Sequence, residues 1–230
     1  MSQNRAWKAM GLIALAELLC MSVWFSASAL VPVLRAEWHL SDSSVSWLTL
    51  AVQLGFVAGT LLSAVFNLPD IISSRRLCAA SAAGAAVINA AFGLFADGPT
   101  SGIVLRFWTG FFLAGVYPPA MKVMATWFRR GRGTALGVLI GALTVGKATP
   151  YLFNLLGSDH WRQILLLDSV LALTGGILIL KYVKDGPYAV PNAKFDISQA
   201  KKVFFNRGVR LANFGYFGHM WEEWRNIFRK

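Results

Sequence analysis

The chain has 230 residues, 56% of them hydrophobic and only 14% charged, with a mean hydropathy of +0.52 and a formal net charge of +11. Soluble domains carry about 25% charged residues, so the composition excludes an ordinary water-soluble fold and, with it, nucleic acid as the reason for the positive balance. Cys20 and Cys78 lie in or beside apolar stretches at no metal or disulfide spacing.

Crossing a hydrocarbon layer of about 30 Å takes roughly 20 apolar residues at the helical rise of about 1.5 Å. In chain order, six stretches meet that length: about Lys8–Leu34, Val45–Phe66, Leu77–Ala96, Gly102–Phe128, Gly133–Gly157 and Ile164–Val183. Each connector between them is short and holds a breaker or a cluster of charge, as in AEWHLSDSS, NLPDIISSRR, DGPTS, RRGR and SDHWR. Glycine and alanine are common inside the spans; they weaken helices in water, but in lipid they allow close helix approach.

Arginine and lysine fix the expected orientation. The N-terminus, the 67–76 and 129–132 connectors and the 181–210 segment hold fourteen of them, Arg75, Arg76, Arg129, Arg130 and Arg132 included, whereas the opposite loops hold only Arg35 and Arg162. Positive residues stay on the cytoplasmic side, which predicts a cytoplasmic N-terminus and a multi-pass protein of the inner (plasma) membrane. The rival reading, a cleaved signal peptide ending at Ala27-Ser-Ala29, is opposed by Glu17 in its middle and by the five spans that follow.

Asn67-Leu-Pro-Asp-Ile-Ile-Ser-Ser-Arg-Arg76, between spans two and three, resembles a degenerate copy of the major facilitator superfamily element Gly-x-Leu-x-Asp-Arg-x-Gly-Arg-Arg. Leu68, Asp70 and Arg75 match it; Phe66 and Ser73 stand where glycines are usual, and Ile71 replaces the first arginine. In span four, Arg106-Phe-Trp-Thr-Gly110 resembles the family's Arg-x-x-x-Gly element, while the antiporter-type pattern expected in span five is only partly present at Gly146-Lys-Ala-Thr-Pro150. The likeness runs from about Met1 to Met220. It implies an all-α membrane protein in which six transmembrane helices form one bundle of two inverted three-helix repeats, the N-terminal half of a twelve-helix carrier. The implied organisation is a bundle over 1–183, a basic cytoplasmic linker over 184–208, and a partial helix seven over 209–230. The last ten residues carry five charges, each costing about 2.5–3.5 kcal/mol at the bilayer centre, so that tail is expected not to span and the chain to be a truncated carrier.

Ionisable residues inside spans need a partner or a wet cavity. Glu17 and Lys147 are the deepest, and the resemblance implies that helices one and five are neighbours, so the two are expected to approach. A carboxylate there suits a coupling proton, since burial disfavours its charged form and a nearby cation favours it. A static ion pair is the bland alternative. Arg106 matches the family element, which implies a role in substrate or proton coupling. Lys122, two turns from the cytoplasmic end of span four, and Gln53 complete the candidate coupling set, although Lys122 also suits snorkelling to the headgroups. Asp168 reads as a solvated boundary acid near the outer surface, and Asn89 as an interhelical bonding residue. Asp70, Arg75 and Arg76 are expected to latch one conformational state.

His39, His160 and His219 are scattered, and no nucleophile elbow, His-Glu-x-x-His pair or phosphate-binding loop occurs. The expectation is therefore not an enzyme, without cofactor or metal. The favoured function is secondary active transport of a small solute by alternating access, with a mild lean toward an anion. Its partners would be lipid, the solute, and a second half or a homodimer, with no nucleic acid. The alternative is a truncated, non-transporting bundle or interaction fragment.

Overall fold

In the computed structural model, the described residues are 3–129, 131–154, 160–188, 205–211, 214, 215 and 218. Two compact units divide the chain at residue 192. The first holds nine helices among its described residues. They are α1 (Gln3–Ala29), α2 (Val31–Trp38), α3 (Asp42–Val65), α4 (Leu68–Ile71), α5 (Ser74–Phe95), α6 (Pro99–Leu113), α7 (Tyr117–Ala125), α8 (Arg132–Asn154) and α9 (Trp161–Tyr182). Among the described residues, four helical stretches are long and apolar enough to cross a membrane: Asn4–Ala29, Asp42–Val65, Ser74–Phe95 and Trp161–Tyr182. Helix α8 contributes the shorter apolar stretch Arg132–Gly146.

Two expected spans are broken, both for the same reason. Span four divides into α6 and α7 because Pro118 and Pro119 have no N–H to give the carbonyls of Ala114 and Gly115. The chain tightens there instead: Gly115 N donates to Phe112 O and Val116 N to Leu113 O, each at 3.0 Å. Span one ends at Ala29, and α2 begins as a new helix with a proline in its first turn. The hairpin predicted at 67–76 is realised by Asn67 in the left-handed region (φ 49°) and by the single turn α4.

The packing follows a pattern. The spans pair as two with four (α3 on α6), one with five (α1 on α8), one with six (α1 on α9), three with four (α5 on α6) and three with six (α5 on α9). Exchanging spans one, two and three for four, five and six maps this set onto itself. Two equivalent three-helix repeats produce such a pattern, and an arbitrary bundle has no reason to.

Missing side chains set the closest of these contacts. A Cβ on Gly110 would lie 1.9 Å from Val52 O, and one on Gly55 would lie 1.9 Å from Phe107 O, so α3 and α6 meet backbone to backbone. Between lipid-embedded helices, where tails are as apolar as leucine, such small-residue contacts supply the van der Waals association. Leu54, Val57, Leu61 and Val65 of α3, and Val170, Leu173 and Ile177 of α9, stay exposed, as suits surfaces that meet lipid rather than water. Within the second unit, Asn206 caps the short helical segment at 207–211, its Oδ1 accepting from Gly208 N at 3.0 Å. The expected linker over 184–208 is described only in part, and the charged tail over 219–230 lies outside the described residues.

Replacing Gly110 by Val should disrupt the α3–α6 contact, since the neighbour is a carbonyl that cannot step aside. Overpacking of this kind costs about 1–3 kcal/mol. The expected outcome is a clear fall in thermal midpoint in detergent and loss of the monodisperse peak on size exclusion; an unchanged midpoint would refute the close approach.

Candidate functional site

Arg106 stands seven residues into α6, roughly 10 Å from its start at the helical rise. Its side chain is wholly buried. It reaches across to α1, where Nη1 donates to Val23 O at 3.0 Å and Nη2 donates to Trp24 O. Nε has no partner. A guanidinium thus ties the first helix of the second repeat to the first helix of the first repeat. Both acceptors are carbonyls in the last two turns of α1, where a cation is favoured by the helix dipole as well as by direct bonding.

Asp168 faces the same region from α9. It also lies seven residues into its helix, because α9 begins at Trp161 rather than at the expected Ile164. It is fully buried, not a solvated boundary acid. Arg106 and Ser22 are its polar neighbours. Even so, neither carboxyl oxygen has a hydrogen-bond partner, and no cation comes within ion-pair distance among the described residues. Ser22 is close, but its hydroxyl donates to Leu19 O at 2.9 Å.

Deeper along α1, Glu17 is also fully buried, with both oxygens unbonded among the described residues. Cys20 of α1 and Cys78 of α5 are its neighbours, so it faces the interior between α1 and α5. The expected neighbour helix is in place: a Cβ on Gly146 of α8 would lie 2.6 Å from Leu18 O. Lys147 follows Gly146 directly, but its side chain lies outside the described residues. Gln53 is exposed on α3, whereas Arg106 and Glu17 are buried.

Beyond the Arg106 level, toward the end of α1, a polar clasp joins three helices. Ser26 Oγ donates to Asn89 Oδ1 at 3.0 Å, and Asn89 Nδ2 donates to Leu165 O at 2.9 Å and to Ser169 Oγ at 3.0 Å. Asn89 is thereby the interhelical bonding residue its sequence context suggested.

At the opposite end, the predicted latch residues take separate partners. Lys122 Nζ lies 2.5 Å from Asp70 Oδ1 and donates to Pro69 O at 2.8 Å, so the α3–α5 connector is fastened to α7. Arg75 pairs with Asp185 at 3.3 Å and donates to Val183 O at 3.0 Å, fastening α5 to the end of α9. The segment after α9 folds back as well: Gly186 N donates to Thr126 Oγ1 at 2.7 Å, and Trp127 Nε1 donates to Lys184 O at 2.9 Å. These contacts enclose a cavity of about 420 Å³ lined by residues that include Lys122, Thr126, Arg132 and Asp185. Lys122 therefore belongs with Asp70 and not with the Arg106 level. Arg76, next to the half-buried Arg75, is exposed.

Residues 13–229 match the sequence profile of the Major Facilitator Superfamily. The chain belongs to that superfamily. Facilitator-family proteins known by name resemble it in part. The high affinity nitrate transporter 2.7 of Arabidopsis thaliana is 28% identical over 74% of this chain and 36% of its own length. A probable actinorhodin transporter of Streptomyces coelicolor is 26% identical over 84% of this chain and 34% of its own. A provisionally named tartrate transporter of Agrobacterium vitis is 29% identical over 40% of this chain and 23% of its own. The chain thus spans about a third or less of the length of these relatives. With its apolar helices, family membership makes it an all-α, multi-pass membrane protein, and its relatives are named as transporters rather than enzymes.

Among the residues above, Asp168 and Ser22 escaped sequence reasoning. The available signal was an acid within a span, but its distance from the span end was misjudged by three residues, nearly one turn. Replacing Arg106 by Ala removes two charged hydrogen bonds, each worth about 1.5–3 kcal/mol. Thermal or denaturant unfolding in detergent should show a loss of about 3 kcal/mol, only partly recovered by Lys; an unaltered midpoint would show that the clamp on α1 contributes nothing.

Proposed function

We propose that this chain supplies the N-terminal six-helix bundle of a secondary active carrier that moves a small solute by alternating access, with its N-terminus in the cytoplasm and its bundle in the plasma membrane. The observation that carries the reading is the buried Arg106 guanidinium held on the backbone of α1. A cation that is expensive to bury persists in a membrane bundle chiefly where it meets an anionic group or guides an ion. Arg106 would serve substrate or proton coupling from the outer half of the bundle, and Glu17 from a deeper level, with Lys147 as its expected partner. An anionic solute is favoured by Arg106 itself and by the nitrate and tartrate in two of the relatives' names.

The two ion pairs at the other end would stabilise one conformational state. Asp70–Lys122 and Arg75–Asp185 join connector, α7 and the end of α9, so separating those ends requires breaking both. Partly exposed pairs are individually worth about 0–1 kcal/mol, weak enough for a rocking bundle to break in each cycle. Arg76 would help hold this end among the headgroups. A second six-helix half, or a second copy of this bundle, would complete the substrate path.

Vesicles offer the test. The chain co-reconstituted with a complementary six-helix half should accumulate nitrate or a dicarboxylate above protein-free vesicles, and Arg106→Gln should abolish the gain. Absence of flux in every preparation would leave a non-transporting bundle instead. Reporters fused after Arg132 and after Lys202 should both face the cytoplasm; opposite sides would refute the topology.

A further inference from the structure

We infer that Asp168 is a proton-binding site of this bundle and that Arg106 reports its occupancy to α1. Three observations place the two residues in one device. Asp168 is fully buried in α9 with neither carboxyl oxygen hydrogen-bonded among the described residues. Arg106 acts on it electrostatically, yet the two are not in ion-pair contact. The guanidinium instead spends both terminal nitrogens on Val23 O and Trp24 O, leaving only Nε free.

A buried carboxylate without a hydrogen bond or a paired cation is a costly species, and a neutral carboxylic acid at the same place is not. Two arrangements therefore satisfy the site. With a proton on one Asp168 oxygen, the acid is neutral and Arg106 stays on the α1 carbonyls, as described above. When that O–H bond breaks and the proton leaves to water, the carboxylate draws the guanidinium toward α9 and off the carbonyls. The last two turns of α1 then lose their clamp, next to the point where Leu30 and Pro32 already interrupt the helix. Proton release is thereby converted into freedom of the α1–α2 junction.

Among the described residues, no cation lies within ion-pair distance of Asp168. From α1 comes Ser22, whose hydroxyl lies 2.9 Å from Leu19 O and can turn toward the Asp168 carboxylate; deeper on the same helix are Glu17 and Cys20. From α5 come Cys78, which belongs with Glu17, and Asn89, whose amide is committed to Leu165 and Ser169. Helix α8 carries Lys147, whose side chain lies outside the described residues. From α6 comes Arg106 alone.

The site rests on the bundle's geometry and not on the transport reading, so its test needs no solute. Infrared difference spectra of the whole chain in lipid, taken across a pH titration, should show a buried-carboxyl band. Asp168→Asn should remove one component of that absorption, distinct from the Glu17 component that Glu17→Gln removes. Arg106→Gln should move the midpoint by about one pH unit or more, since a unit charge acting on the acid has been removed. Hydrogen exchange of residues 23–30 should quicken on deprotonation in the parent chain and be independent of pH in Asp168→Asn. Should Asp168→Asn fail to fold, Asp168→Glu keeps the titration and should displace the band. A band untouched at Asp168, or a midpoint that ignores Arg106, would overturn the assignment. Failure of solute flux with these spectra intact would instead count against the carrier reading alone.

Discussion

Burying a guanidinium inside a helical bundle obliges some neighbouring backbone to receive its hydrogens, and in this protein α1 does so. Arg106 reaches two carbonyls near the end of α1, and those bonds hold the C-terminal part of α1 beside α6, the leading helix of the other repeat. The rest of the arrangement is consistent with that constraint. Gly110, one turn further along α6, lets α3 approach to backbone contact. The Arg-x-x-x-Gly element therefore does two jobs on nearly one helix face: its first residue holds α1 and its last admits α3.

The same bundle carries its charge at two levels with different chemistry. Toward the C-terminal end of α1, the groups are buried and incompletely paired, with Arg106, Asp168 and Ser22 in one neighbourhood. At the other end, the charges are partly exposed and paired across elements, Asp70 with Lys122 and Arg75 with Asp185. Pairs near water are weak and reversible, whereas an unsatisfied group in a low dielectric is expensive.

Several features were legible from residues alone. The length of the apolar runs, the side on which arginine and lysine gather, and the Arg106–Gly110 element pointed to a six-span bundle of this superfamily, and the family match over 13–229 agrees. Asn89 also read correctly, because an amide within an apolar helix must find a partner. The break of span four was signalled by Pro118-Pro119 but masked by the apolar residues on both sides. Lys122 looked like a coupling candidate because depth along a helix was all the sequence offered. Its partner Asp70 is 52 positions away, and only the fold brings them together.

By itself, then, the sequence determined which segments live in lipid, since that depends on local composition and on the cost of carrying charge into hydrocarbon, both readable along one strand of text. The tertiary structure alone decided which charges meet. Helix rotation and tilt set whether a residue seven positions into a span faces lipid, a neighbouring backbone or another charge. Those angles come from packing between helices distant in the chain, as at Gly110 against Val52 and Gly146 against Leu18. Asp168 became a buried acid beside Arg106 for that reason, and no local pattern around it records the fact.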